Sequence, residues 1–357
     1  MHGSHPAVLQ VLASSQRRGA EVFATDLGRA LTGRGLDVRS VALVPGGHGA
    51  ALDVAHLGTR ALSPSTLGRL RAEAAGVAVV VAHGSRTLPA CALGLLGRPV
   101  PFVYRNIGDP GYWSASPGRR LRAGLLLRRA RAVAALWPGA AGELSRRYGV
   151  PASRIHVIPN GVPAGRFPLV EEPHRLAARR ALALAPGGAV AVFVGSLTPE
   201  KDVGVAIRAL VHLDGVELVV AGDGPERAGL EALAAAVAPG RVRFLGVAAE
   251  PASVLAAADV LVLPSRSEGM PGVLIEAGLS GIPVVATAVG GVAEVVVDGQ
   301  TGRLVPPADG RALAAAVTEV LEAPGALVAA ARRRCLDRFE LTSVASAWTH
   351  LLEEVLG

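Results

Sequence analysis

The feature that most constrains this 357-residue chain is a recurrence: short apolar runs alternate with helix-like segments from end to end. In the first half the runs are residues 7–13, 37–43, 77–83, 99–104, 132–136 and 155–158. In the second half they are residues 189–194, 216–221, 241–245, 260–263, 283–286 and 303–305. Between the first two runs, Val22, Phe23, Leu27 and Leu31 recur at helical spacing, and Gly35 follows. Residues 203–213, 225–237 and 310–322 read as further helices. Short apolar strands separated by helices predict parallel sheets covered on both faces. Two consecutive sets predict two doubly wound α/β domains, although periodicity alone leaves one barrel open. Residues 159–173, with four prolines, two glycines and an acidic pair, punctuate the pattern as a linker does. The expected domains are residues 1–165 and 166–340. A last amphipathic helix over 341–357 carries Val344, Trp348, Leu351, Leu352 and Val355.

Composition narrows the function. Half the residues are apolar, so a sizeable core is available, and aromatics are 3%. That leaves little material for base-stacking platforms, and no base-reading motif accompanies the charge, so nucleic acid is not an expected partner. Cys91 and Cys335 lie far apart and read as free thiols of a reducing compartment. The longest uncharged runs, 181–199 and 277–293, are broken by Gly and Pro as strand-loop-helix units are. The amino terminus shows no basic region followed by an apolar core. A cytoplasmic protein is expected. The net charge of +7 is uneven: 21 Arg and 7 acidic residues precede position 171, and 15 basic and 22 acidic residues follow it.

Five stretches carry candidate chemistry. In the first, an apolar run ends at Leu263 and a loop holding Glu268 and Gly269 follows. Pro271 then stands where a helix would start, with Glu276 in that helix's second turn. Free N–H groups at a helix start suit phosphate or sugar hydroxyls, and the carboxylates suit hydroxyls. Together they would hold a nucleotide-sugar; the plain alternative is a pair of surface acids. The second stretch, Gly195-Ser196-Leu197-Thr198-Pro199-Glu200-Lys201, also joins strand to helix, and Lys201 is the chain's sole lysine. Such a join lies at the ligand-binding edge of an open sheet, and a lysine there offers a point charge to a diphosphate. A surface lysine is the alternative. The third, Gly222-Asp223-Gly224-Pro225-Glu226-Arg227, lacks the third glycine of a dinucleotide fingerprint and reads as a tight turn, with Pro225 opening the next helix.

The fourth stretch interleaves Arg119, Arg120, Arg122, Arg128, Arg129 and Arg131 with Leu121, Leu125, Leu126 and Leu127. As a helix it would have basic and apolar faces, suited to an anionic membrane surface or simply solvated. The fifth comprises His83, Ser85 and Arg86, and Arg105, Asn106 and Asp109. Both groups are expected just after strands of the first domain, facing one edge, and a lone His is as readily structural as catalytic.

The second half resembles the retaining GT-B glycosyltransferases of family 4. The likeness runs through Phe193-Val194-Gly195-Ser196-Leu197 with Lys201, Ala221-Gly222-Asp223-Gly224-Pro225 and Val242-Arg243-Phe244-Leu245-Gly246. It continues through Pro264-Ser265 with Glu268-Gly269-Met270-Pro271, Glu276-Ala277, Gly281-Ile282-Pro283-Val284-Val285-Ala286, Gly290-Gly291 with Glu294, and Asp298-Gly299 with Thr301-Gly302. Glu268 and Glu276 match the family's E-x7-E motif. The first half is similar at Arg18-Gly19-Ala20-Glu21 and at Ile158-Pro159-Asn160-Gly161-Val162 with Arg166-Phe167.

The resemblance implies two Rossmann-like domains facing an interdomain cleft, with the last helix packing back on the first domain. It implies sugar transfer from a nucleotide-sugar donor to a hydroxyl acceptor, with retention at the anomeric carbon and with neither metal nor cofactor. By the same likeness Glu276 would hold the donor's ribose. Glu268 and the amides of Gly269, Met270 and Pro271 would hold its sugar. Lys201, Arg18 and Gly19 would face the diphosphate, and Gly195, Ser196, Gly222 and Leu245 would line the donor site. His83 and Arg105 would lie on the acceptor side. Two departures stand out. Ser196 occupies a position where the family often has Arg, a gap that Arg18 could fill. The family often has a His after the strand placed at 99–104, where this chain offers Asn106 or Asp109 instead. Rival readings are a catalytically impaired nucleotide-sugar-binding protein and a nucleotide-sugar epimerase on the same fold. A phosphorylase would want a pyridoxal-binding lysine, and the loop position of Lys201 argues against it.

Overall fold

The computed structural model describes residues 6–47, 51–111, 116–185, 187–248 and 250–357; Met1 to His5, on which nothing above depends, lie outside them. The chain divides into two compact units. One holds the residues up to Val162 together with Leu341–Gly357, and the other is Pro163–Glu340.

The first unit runs β1 (Ala7–Ser14), α1 (Gly19–Thr32), β2 (Asp37–Val44), α2 (Pro64–Glu73), β3 (Val79–His83), α3 (Thr87–Gly94), β4 (Phe102–Asn106), α4 (Pro117–Leu127), β5 (Ala132–Ala135), α5 (Pro138–Tyr148) and β6 (Ile155–Val157). The strands form one parallel sheet in the order β2-β1-β3-β4-β5-β6. Strand β4 begins later than hydropathy alone suggests. Pro99 and Pro101 have no N–H to donate to the ladder, so pairing starts at Phe102. Arg105 and Asn106 therefore lie inside the strand rather than after it, and His83 is the last residue of β3.

Strand side chains alternate between faces. Val79 and Val81, Val103, and Ala132 and Ala134 point to one face, where they meet Phe23, Leu27 and Leu31 of α1. The same core takes Leu341, Val344, Trp348 and Leu352 from the final helix, α14 after the thirteen that precede it (Leu341–Leu356). Arg34 joins α14 from the rim, donating to the Thr342 carbonyl at 2.9 Å. Helix α3, which periodicity does not reveal, buries Leu88, Ala90, Cys91 and Ala92 and so has no polar face to mark a period.

The second unit runs α6 (Glu172–Ala181), β7 (Ala189–Val194), α7 (Val203–Ala209), β8 (Val216–Ala221), α8 (Arg227–Val237), β9 (Val242–Gly246), α9 (Pro251–Ala256), β10 (Val260–Leu263), α10 (Gly272–Ser280), β11 (Val284–Thr287), α11 (Val292–Val295), β12 (Arg303–Val305), α12 (Gly310–Glu322) and α13 (Gly325–Phe339). Its sheet is parallel, in the order β12-β11-β10-β7-β8-β9. The strand order reverses between β7 and β10, and in open α/β sheets ligands bind beyond the carboxyl ends of the strands at such a switch. Two helix starts differ from expectation. Pro225 precedes α8 by two residues, and Pro271 is the cap of α10, extended at φ −71° and ψ 121°, rather than its first helical residue.

Candidate active site

Strands β7 and β10 are adjacent and parallel, with Val260 opposite Ala191 and Leu261 opposite Val192. Their outgoing loops therefore leave the sheet side by side. The β7 loop passes through a short 3-10 turn, Pro199–Lys201, and the β10 loop carries Ser265 to Met270. Lys201 Nζ donates to Glu268 Oε1 at 2.5 Å, and Ser265 Oγ donates to the same oxygen at 2.6 Å. Glu268 is 8% exposed and Ser265 is fully buried. A second strap crosses nearby: the Arg266 N–H reaches the Glu200 carbonyl at 2.7 Å, and Arg266 Nε donates to Asp202 Oδ2 at 2.6 Å. Asp202 adopts a left-handed φ of +44°, which Asp tolerates better than most residues.

The Glu268 main chain is fixed from a third side. Gly290 lies so close that a Cβ there would stand 1.8 Å from the Glu268 carbonyl oxygen, and its φ is +52°. The Gly291 N–H donates to the Gly269 carbonyl at 2.7 Å. Met270 and Pro271 are buried and lead into α10, where Glu276 stands half-buried in the second turn.

Across β7, β8 and β9 the loop contacts are mainly backbone. Gly195 N–H reaches the Ala221 carbonyl at 3.0 Å, Leu197 N–H the Asp223 carbonyl at 2.9 Å, and Gly222 N–H the Gly246 carbonyl at 2.7 Å. A Cβ on Gly222 would stand 1.7 Å from the Gly195 oxygen, so this glycine serves close approach of two loops, as the tight-turn reading holds. Ser196 and Leu245 are half-buried beside them.

The description "Glycosyltransferase Family 4" matches residues 17–166, and "Glycosyl transferases group 1" matches residues 188–323. The chain belongs to the family 4 glycosyltransferases. Curated relatives include a glycogen synthase of Mycobacterium tuberculosis, 37% identical over 215 residues, which are 57% of this chain and 50% of that protein. Another is the D-inositol 3-phosphate glycosyltransferase 2 of Catenulispora acidiphila, 38% identical over 206 residues, which are 52% and 46% of the two chains. The chain thus spans about half the length of the curated relatives it matches. Among solved structures, HepE of Anabaena in complex with UDP and glucose superposes with a TM-score of 0.87 at 22% identity, covering 98% of this chain and 100% of that one. Sucrose-phosphate synthase of Thermosynechococcus elongatus gives 0.84 at 23% identity, covering 98% and 99%. These likenesses establish the GT-B fold with its two Rossmann-like domains.

Among the first-unit candidates, Arg105 and Asn106 lie within β4 rather than after it, while Asp109 follows it. His83 and Arg105 are paired in register on one face of the sheet, 3% and 1% exposed. Gln10 Nε2 donates to the Ala24 carbonyl at 2.9 Å, so its Oε1 is the acceptor that meets His83 Nε2 at 2.8 Å. The imidazole proton is assigned to Nε2, and Nδ1 faces Arg105 Nη1 at 3.5 Å. Arg105 also donates to Asn160 Oδ1 and lies 3.8 Å over the Phe23 ring. Burial pulls its pKa down to about 9 against the attraction of Glu21. Asn106 points to the opposite face, fully buried, and donates to the Gly108 carbonyl at 2.9 Å. Asp109 is partly exposed and closes a turn by accepting from the Gly111 N–H at 2.8 Å. Arg18 and Gly19 are exposed at the start of α1, and nothing lies within 4 Å of a Cβ placed on Gly19.

The basic stretch is also corrected. Helix α4 ends at Leu127, so Arg128, Arg129 and Arg131 lie beyond it. Gly124 and Leu127 face inward, whereas Leu121 and Leu125, one turn apart, are 67% and 54% exposed. Among the described residues no single helix is long and apolar enough to cross a membrane. Ser265, Gly290 and Gly291 carry part of the resemblance, but nothing in the sequence assigns them a role. A hydroxyl three residues before Glu268 was the available signal for Ser265; only contact reveals Gly290.

Proposed function

We propose that the chain is a retaining, metal-independent glycosyltransferase that moves a sugar from a nucleotide-sugar to a hydroxyl acceptor and needs no cofactor. The observation that carries this reading is the convergence of Lys201 and Ser265 on Glu268 at the strand-order reversal of the second sheet. Glu276 takes the ribose hydroxyls. Glu268, with the amides of Gly269 to Pro271, takes the donor sugar, and Lys201 takes the diphosphate. The bond from the anomeric carbon to the diphosphate oxygen breaks, and its electron pair leaves with that oxygen. The acceptor oxygen bonds to the same face of the carbon, and its proton passes to the departing phosphate. Negative charge grows on the leaving group, so a cation already in place favours that state over the ground state. HepE was solved with UDP-glucose, which makes it the first donor to try.

The acceptor belongs to a cell-envelope or lipid-linked class, and the enzyme works at the cytoplasmic face of an anionic membrane. The outward Leu121 and Leu125 among arginines support this. Incubation with UDP-, GDP- and dTDP-sugars tests the catalytic reading. Slow donor hydrolysis is expected, and Glu268→Gln should reduce it by at least about a hundredfold, as loss of a transition-state contact does. Tight donor binding with no turnover on any acceptor would instead establish the impaired-binder reading.

A further inference from the structure

Glu268 is held asymmetrically. Lys201 Nζ and Ser265 Oγ both go to Oε1, at 2.5 and 2.6 Å. Oε2 has no protein partner among the described residues. Ser265 itself is fully buried, so its hydroxyl has no route to a ligand. Its main chain is anchored in turn, since Thr287 Oγ1 donates to the Ser265 carbonyl at 2.5 Å. Thr287 is the last residue of β11, which pairs with β10 on one side and β12 on the other, so the anchor is the carboxyl end of an interior strand. Gly290 and Gly291 hold the Glu268–Gly269 backbone from the other side. Main chain and one carboxylate oxygen are thus fixed, and one oxygen is left to accept.

We propose that Ser265 is a positioning residue for donor-sugar recognition: by occupying Oε1 together with Lys201, it turns Oε2 of Glu268 toward a hydroxyl of the donor sugar. The inference rests on the donor-site reading above and adds to it a residue that touches no substrate. A hydroxyl donating to a carboxylate is among the stronger neutral-donor hydrogen bonds, and it removes the rotational freedom that a lone Lys201 contact leaves to the carboxylate. Groups that place a binding side chain act on ligand affinity through that side chain alone.

The test separates the sugar from the nucleotide. Titration calorimetry with UDP and with UDP-glucose gives two dissociation constants, and their ratio is the contribution of the sugar. In Ser265→Ala, UDP affinity should stay within about twofold of wild type, while the sugar contribution and the donor-hydrolysis kcat each fall roughly tenfold. Ser265→Thr, which restores a hydroxyl, should recover most of both. In a Glu268→Gln background, Ser265→Ala should add little, because its effect passes through that carboxylate. Unchanged UDP affinity also shows that the variant is folded. An equal loss of UDP and UDP-glucose affinity, or an unchanged ratio and kcat, would overturn the role of Ser265 while leaving the donor site standing. A wild-type protein that binds neither UDP, GDP, dTDP nor their glucose esters would overturn the donor site and this role with it.

Discussion

His83 shows how neighbours decide what a side chain does. In the sequence it stands out for its place at a strand end. In the fold it is a neutral hydrogen-bonding link between Gln10 and Arg105. Burial, reinforced by the Arg105 charge, holds its pKa well below 6.5. In the unfolded chain the ring gains a proton as pH falls through that value, and in the folded chain it does so only at lower pH. The stability that follows from the neutral ring is therefore full above about pH 6.5 and lost below it, by up to roughly 1.4 kcal/mol per pH unit. Burial raises the Glu21 carboxyl, which titrates in the opposite sense and is common to wild type and variant. Denaturant midpoints compared between about pH 7 and about pH 5 should fall less in His83→Gln than in wild type. Parallel curves would show that His83 is not the group responsible. Glu268 is the contrasting case: legible from its spacing to Glu276, but with its orientation set by Ser265, which the spacing does not mention.

At the scale of elements, α4 is instructive because its composition and its packing disagree. Interleaved Arg and Leu suggest an apolar face turned inward, yet Gly124 makes the inward contact. A Cβ there would stand 2.7 Å from the Tyr148 carbonyl, so the helix sits on α5 through its smallest residue. Leu121 and Leu125 are left outside with Arg119 and Arg122, all four exposed. Exposed leucines flanked by cations are placed to enter the headgroup region of an anionic bilayer. Co-sedimentation with phosphatidylglycerol vesicles should be strong at low salt and weaken as salt screens the charges. It should also drop in the double variant Leu121→Ser, Leu125→Ser. Absent or salt-independent binding would remove the membrane from this reading.

At the scale of the whole molecule, the chain leaves its first unit after Val162 and returns to it at Leu341, whose N–H meets the Val162 carbonyl at 3.2 Å. The first fold is complete only when the last helix is in place. Trp348, fully buried, lies with its ring 6.4 Å from that of His83 and fills the core between α1 and the sheet. Trp348→Ala should cost about 3–5 kcal/mol, as large aromatic truncations in a core do. Thermal unfolding of the full chain should show the loss; a melting temperature within about a degree of wild type would mean that α14 contributes little to that core.

The two α/β units are legible in the sequence: eleven of their twelve strands begin and end within two residues of expectation, because buried parallel strands and their helices each leave a periodic trace. Lys201 and Glu268 are legible as candidates because they stand at strand-to-helix joins, where few residues have a local reason to be charged, and Glu276 because it follows Glu268 at the motif's spacing. Which side chains those charges meet depends on how the strands pack in three dimensions. Register and side-chain alternation buried His83 and Arg105 on one face and Asn106 on the other. The adjacency of β7 and β10, strands far apart in sequence, brought Lys201 to Glu268. Contacts of this kind depend on which strands become neighbours, and a linear pattern carries no term for that.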